Sequence, residues 1–296
     1  MSLRITPIAS ELGAEVAGVD LREPLTDGAL QELQQALLDH LVLFFHDQPL
    51  EPGQQRALAE RFGPLDVHAF GRHLPDDPAV GLLDQTEPAR DGANRWHTDS
   101  TFMPMPPRAA LLYAVQLPAV GSDTCWASMY AAYDALSTPL QQMLDGLTAT
   151  HDITGPLVRA IAGGHSVGSL ADTQAAWPPR SHPVVCRHPE TGRKFLYVNS
   201  NFTTRIDGLS EAESDALLHF LIEHVRSPDF QIRFRWRPGS VAFWDNRCTQ
   251  HFAVADYRER RIMHRVTLAG DWAPSLELPE SPDASNAGSH AQADLH

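Results

Sequence analysis

The chain has no run approaching the roughly 18 consecutive apolar residues of a membrane-spanning helix, and Met1 to Val16 contains no apolar core of signal-peptide length. Thiols are few. Cys125, Cys186 and Cys248 are odd in number, widely spaced and without a CxxC pair, which excludes a disulfide framework and a zinc knuckle. Positive charge is scarce too, with 23 Lys and Arg against 37 Asp and Glu and a net charge of −14. Nucleic acid is therefore a poor partner, because its binding depends on clustered cations that neutralise phosphates. No Gly-rich phosphate loop follows an apolar run, which argues against a nucleotide-binding α/β enzyme. There is no internal repeat. What is left reads as a cytoplasmic globular protein with no nucleic-acid or membrane partner. Its 296 residues, 43% hydrophobic, suffice for a sizeable core.

Helical signals stand at two places. Thr26 or Asp27 can cap a segment in which Leu30, Leu33, Leu37, Leu38 and Leu41 recur at helical spacing, and Ser210 to Glu213 is a capping box before Leu217, Leu218, Leu221 and Val225. Shorter helices are expected from Pro52 to Phe62, Met129 to Leu136 and Pro139 to Leu147. Strand patterns cover Leu41–Phe45, Ala109–Val115, Thr148–His151, Phe230–Trp236, Val241–Trp244 and Arg261–Leu268. Residues 66–95 read as a long loop and residues 153–181 as an irregular insert. Residues 1–272 are expected to form one domain, followed by a disordered Ser-, Pro- and Asp-rich tail at 273–296. The balance is mainly β with flanking helices, a barrel or jelly roll.

The chemistry concentrates in Trp96-His97-Thr98-Asp99-Ser100. If this segment is extended, His97 and Asp99 lie on one face and can bind one ion together. With His251 they make two imidazoles and a carboxylate, the facial triad of non-haem iron(II) oxygenases, which leaves coordination positions open. An HxD pair by itself is more often a surface His–Asp hydrogen bond than a metal site, and it gains weight only with the downstream pattern. Downstream, Arg261 and Arg265 share a strand face with Met263. An inward guanidinium needs an anion, for which its fork is suited, while the bland alternative is a solvated edge strand. The remaining histidines have no partner spacing that suggests ligation.

Taken together, these landmarks resemble the taurine dioxygenase family of Fe(II)/2-oxoglutarate-dependent oxygenases. The likeness runs from Gly13-Ala14-Glu15-Val16 through His40-Leu41-Val42-Leu43-Phe44-Phe45, Trp96 to Phe102, Gly121 to Thr124 and Phe202 to Ile206. It continues through Trp244-Asp245-Asn246-Arg247, Thr249-Gln250-His251 and Arg260 to Arg265. The resemblance implies a double-stranded β-helix (jelly roll) core in which His97, Asp99 and His251 hold iron. It makes Arg261 and Thr124 the anchors of the 2-oxoglutarate co-substrate, with O2 as oxidant. Arg265 and His68 match positions that grip a sulfonate, and Trp96 and Phe202 match pocket walls. A homodimer or homotetramer is implied as well. Departures fall at Gly71, at Ala93 or Asn94, and at Leu157, where the family carries aromatic or amide groups facing the amine of taurine.

The expected activity is hydroxylation of a small anionic sulfonate, taurine foremost, releasing sulfite and an aldehyde with succinate and CO2. The alternatives are the same chemistry on an alkyl sulfate or aryloxyalkanoate, a zinc hydrolase using the same three ligands, and a non-catalytic jelly-roll binding module.

Overall fold

The structure is a computed structural model that describes residues 3–67, 71–86, 93–162 and 169–278. The first half contains β1 (Arg4–Pro7), β2 (Ala14–Ala17), α1 (Asp27–His40), β3 (Val42–Phe45), α2 (Pro52–Glu60), β4 (Leu65–Asp66), β5 (Arg72–Leu74), β6 (Asp77–Gln85) and β7 (Ala109–Gln116). Then come β8 (Thr124–Ser128), α3 (Met129–Asp134), α4 (Thr138–Leu144), β9 (Thr148–His151), α5 (Thr154–Ala162), α6 (Leu170–Ala176), β10 (Arg180–Pro183), β11 (Val185–Arg187) and β12 (Lys194–Leu196). The last elements are β13 (Thr203–Ile206), α7 (Glu211–Val225), β14 (Gln231–Phe234), β15 (Val241–Asp245), β16 (Thr249–Ala253) and β17 (Arg261–Leu268).

One large sheet runs β1-β2-β3-β15-β7-β17-β6-β5, and a smaller one runs β14-β8-β16. Both faces of the large sheet are covered, which explains why its central strands read VLFF, AALLYAV and VAFW rather than alternating with polar residues. One face sends Val42, Phe44, Leu112, Ala242, Trp244 and Met263 into a core shared with Trp126, Ile232 and Phe234 of the small sheet. The other face packs Leu43, Phe45, Leu111, Phe243 and Val266 against Leu33 and Leu37 of α1 and Leu58 of α2. Two sheets closed over one core, with helices outside, make the expected jelly roll.

The two capped helices form where their signals lie. Thr26 accepts a hydrogen bond from Ala29 N, and Ser210 with Glu213 closes the capping box of α7. Two expectations need correction. Residues 66–95 are not one long loop, because β5 and β6 form an antiparallel hairpin that extends the large sheet. Pro78 and Gly81 hide this strand from a pattern search; Pro78 lies outside the rungs that β6 shares with β17, at the irregular end of the hairpin, where a missing N–H is tolerated. Residues 153–181 are not irregular either, since α5 and α6 occupy much of the segment and Arg180 begins β10. Past Trp272, Ser275 O accepts from Arg187 N at 2.7 Å and Leu276 O from Arg187 Nε at 3.3 Å. Residues 279–296 of the expected tail lie outside the described residues. Among the described residues no helix is long and apolar enough to cross a membrane.

Candidate active site

The segment around His97 reaches β16 by a short ladder. His97 N donates to His251 O at 3.1 Å and His251 N to His97 O at 2.8 Å, a single antiparallel bridge. Thr98 Oγ1 donates to Thr249 O at 2.7 Å. The extended path ends there, for Ser100 turns the chain with φ of 52°. His97 and Asp99 nevertheless converge on His251, and the ligand-capable atoms of all three lie within 4.8 Å of one another.

His97 Nε2 is 3.6 Å from Asp99 Oδ1, and His251 Nε2 is 3.7 Å from Asp99 Oδ2. Two donors each about 2.1 Å from one ion and 90–120° apart would be about 3.0–3.6 Å from each other, so the spacing is near that of a mononuclear centre. His97 Nδ1 donates to Arg95 O at 2.7 Å, which leaves Nε2 with its lone pair toward the cluster. Burial, with His97 close by, lowers His251 from an ordinary 6.5 to about 3, which keeps it neutral and able to ligate at any physiological pH. A nitrogen–nitrogen–oxygen set fits a divalent first-row metal.

β17 delivers both arginines to the interior face, as its alternation predicts. Arg265 Nη2 donates to Asp99 Oδ2 at 2.7 Å, while its Nε is buried without a hydrogen-bond partner. Arg261 is buried too, its Nε has no partner, and burial pushes its pKa down. It lines a small cavity with Gln85, Ala93, Asn94, Ala253 and Tyr257. Thr124 is paired across strands with Ala253 of that lining, and its Oγ1 accepts from Trp236 Nε1 at 2.9 Å.

The other expected residues separate. Trp96 sits in the main core, its ring 5.6 Å from that of Phe252. Phe202 joins Phe102, Ile153 and Leu157 in an apolar cluster that begins three residues beyond Asp99, with Phe102 and Phe202 rings 5.3 Å apart. His68 lies outside the described residues. A separate cavity of about 460 Å³, lined by Arg95, Arg159, Arg226 and Phe252 among others, contains none of the three clustered ligands.

In the sequence Asp245 and Asn246 read as turn residues leading to His251, with a supporting role open, and His188 as structural; the structure joins Asp245 and His188 in one buried network. Asp245 is fully buried, bound by Arg247 Nε at 3.0 Å and Nη2 at 2.6 Å, and 3.1 Å from His188 Nε2. Burial alone would raise its carboxyl, but Arg247 and His188 hold it well below the usual carboxylate range. His188, Asp245 and Cys248 also lie close enough to share an ion. Arg247 already satisfies Asp245, so this group is an ion-pair network.

Asp99 has a second buried neighbourhood on its C-terminal side. Thr101 Oγ1 is 2.8 Å from His151 Nδ1 and accepts from Asn199 Nδ2 at 3.1 Å. Burial, reinforced by His182, lowers His151 from 6.5 to about 3, and burial lowers His182 to about 4. The unfolded chain takes up these two protons as pH falls through about 6.5, whereas the folded chain stays neutral there. Their contribution is thus complete above pH 6.5 and shrinks below it, by about 1.4 kcal/mol per pH unit for each histidine. Urea unfolding between pH 7 and pH 4.5 is expected to show this loss, with a slope smaller by about one proton in His151→Gln. Equal slopes would mean that His151 charges within the folded state.

Residues 4–267 match the family described as taurine catabolism dioxygenase TauD, TfdA family. The chain is 36% identical over 283 residues to an alpha-ketoglutarate-dependent sulfate ester dioxygenase of Pseudomonas putida, covering 92% of this chain and 91% of that protein. A solved putative alpha-ketoglutarate-dependent taurine dioxygenase from Burkholderia xenovorans superposes with a TM-score of 0.80 at 38% identity, covering 92% and 94% of the two chains. The structure of AAD-2 in complex with Mn(II) and N-oxalylglycine gives 0.79 at 30% identity, covering 93% and 100%. With the jelly roll and the buried donor cluster in place, the chain belongs to the taurine catabolism dioxygenase TauD, TfdA family and is an alpha-ketoglutarate-dependent dioxygenase.

Proposed function

We propose that His97, Asp99 and His251 hold iron(II), that Arg261 with Thr124 anchors the far carboxylate of 2-oxoglutarate, and that Arg265 receives the head group of a small sulfonate. The carrying observation is Arg265: one guanidinium nitrogen is engaged with Asp99, while Nε is buried without a partner beside the same cluster. An incoming tetrahedral anion would supply the acceptor that this donor lacks. His68 would be a second donor to it. When bound, iron and 2-oxoglutarate use O2 to hydroxylate a carbon of the substrate, with succinate and CO2 as co-products. The chain's own part is to fix the anion so that one C–H bond faces the cluster and to exclude water around it. Hydroxylation of the carbon that bears a sulfonate yields a product that separates into an aldehyde and sulfite.

The tail side favours hydrocarbon. Phe102, Ile153, Leu157 and Phe202, with Met103 and Trp177 packed on them, offer no carboxylate or amide to an ammonium group. Taurine remains the leading small sulfonate, and a longer alkanesulfonate is expected to be the better substrate, since an unmatched buried polar group costs about 1–3 kcal/mol. An alkyl sulfate or aryloxyalkanoate is the alternative, and similarity to a sulfate ester dioxygenase supports the former.

The test is sulfite release with iron(II), ascorbate and 2-oxoglutarate across taurine, hexanesulfonate, hexyl sulfate and phenoxyacetate. Sulfite from both sulfonates, with hexanesulfonate giving the higher kcat/KM, is the expected result. Absence of sulfite alongside sulfate or phenol release would reassign the substrate and leave the metal site in place.

A further inference from the structure

Asp99 is the one member of the triad that lies past the end of the backbone ladder. His97 and His251 exchange both of their backbone hydrogen bonds, but the turn at Ser100 carries the chain away before Asp99 can pair with a strand. A side chain fills that gap. Asn246 Oδ1 accepts from Asp99 N at 2.9 Å, and Asn246 Nδ2 donates to Asp99 O at 3.2 Å and to Pro107 O at 2.8 Å. Its own backbone N donates to Arg108 O at 2.9 Å. The amide is fully buried and uses its oxygen and its nitrogen on the same peptide neighbourhood, as a strand residue would.

We infer that Asn246 is a positioning residue that sets the presentation of Asp99 to the metal. This rests on the metal-binding role proposed above for His97, Asp99 and His251. The bridging bonds end at His97 and the Thr98 hydroxyl reaches Thr249, whereas Asn246 ties both the N–H and the carbonyl of residue 99. Arg265 holds Oδ2 of the Asp99 carboxylate, so the backbone clamp and the guanidinium together fix the orientation of both oxygens. Loss of the clamp removes two hydrogen bonds from Asp99, next to a non-glycine residue at positive φ. Metal affinity then depends on a side chain that never touches the metal.

The experiment is Mn(II) titration of the metal-free full-length protein, with Co(II) absorption as a second signature and Tm alongside. Asn246→Ala and Asn246→Ser are compared with Gln250→Leu, which removes another buried amide bond four residues further on, from Gln250 Nε2 to Val198 O at 2.7 Å. Both Asn246 variants are expected to bind Mn(II) about 10–100-fold more weakly than the parent and to change the Co(II) spectrum. Gln250→Leu should lose Tm and stay within twofold in affinity. Parent-like binding in either Asn246 variant overturns the inference. So does failure of both to fold, which would place Asn246 in the fold alone, and so does an equal loss in Gln250→Leu. A parent protein that binds no Mn(II) would instead overturn the metal assignment.

Discussion

His251→Ala is expected to abolish turnover and metal binding while leaving the metal-free fold within a few degrees of the parent in Tm. The imidazole is mostly shielded, neutral and without a partner at Nδ1, so without metal its removal breaks no hydrogen bond of its side chain. Asp99→Ala should abolish turnover equally but behave differently in the fold. It strips Arg265 of the carboxylate that holds Nη2 at 2.7 Å, in a place where both side chains are mostly shielded. Leaving one partner of such a pair uncompensated costs about 1–3 kcal/mol, so a lower metal-free Tm is expected for Asp99→Ala alone. Calorimetry of the two metal-free variants with Mn(II) titration checks both statements. Appreciable turnover in His251→Ala at limiting iron would remove His251 from the ligand set.

Arg261→Met is expected to weaken 2-oxoglutarate binding by about 2–4 kcal/mol, the usual scale for deleting one partner of a buried charged contact. In the absence of co-substrate the same change should leave Tm unchanged or raise it. Among the described residues no carboxylate pairs with Arg261, its Nε has no acceptor, and burial has already lowered its pKa. A methionine of similar shape would relieve that uncompensated charge. Arg265→Met, by contrast, should spare 2-oxoglutarate and weaken the prime substrate. Calorimetric titration with 2-oxoglutarate under anaerobic conditions separates the two. If the effects exchange, the order of the two arginines along β17 relative to the ligands is reversed.

Much of this layout is legible before any coordinates. Arg261, Met263 and Arg265 alternate with Ile262 and His264, and β17 keeps that phase, so both arginines point between the sheets. The apolar runs of β3, β7 and β15 announce strands covered on both faces. The hairpin of β5 and β6 escaped because Pro78 and Gly81 interrupt its pattern, and pairing with β17 supplies the order that local preference withholds. The helices α5 and α6 escaped because Gly155, Pro156 and short length mask them, whereas Leu157 and Thr173 are the residues each buries. Asn246 is visible in the sequence only as a turn residue on the way to His251, open to a supporting role, and the backbone it holds is not. A buried amide that stands in for a strand partner is defined by the turn at Ser100, and only the folded chain brings the two together.

That bond spans 147 positions of sequence, and the ion pair between Asp99 and Arg265 spans 166. A ribosome must therefore finish nearly the whole polypeptide before the centre exists. Chains stalled after β7 carry His97 and Asp99 without His251, and can hold iron only as weakly as a stray pair of side chains does. Contacts this distant also form slowly, since a long loop must close before any of them rewards it. On the metal assignment proposed above, loading is consequently a late event in biogenesis, and truncated products released early should remain free of metal.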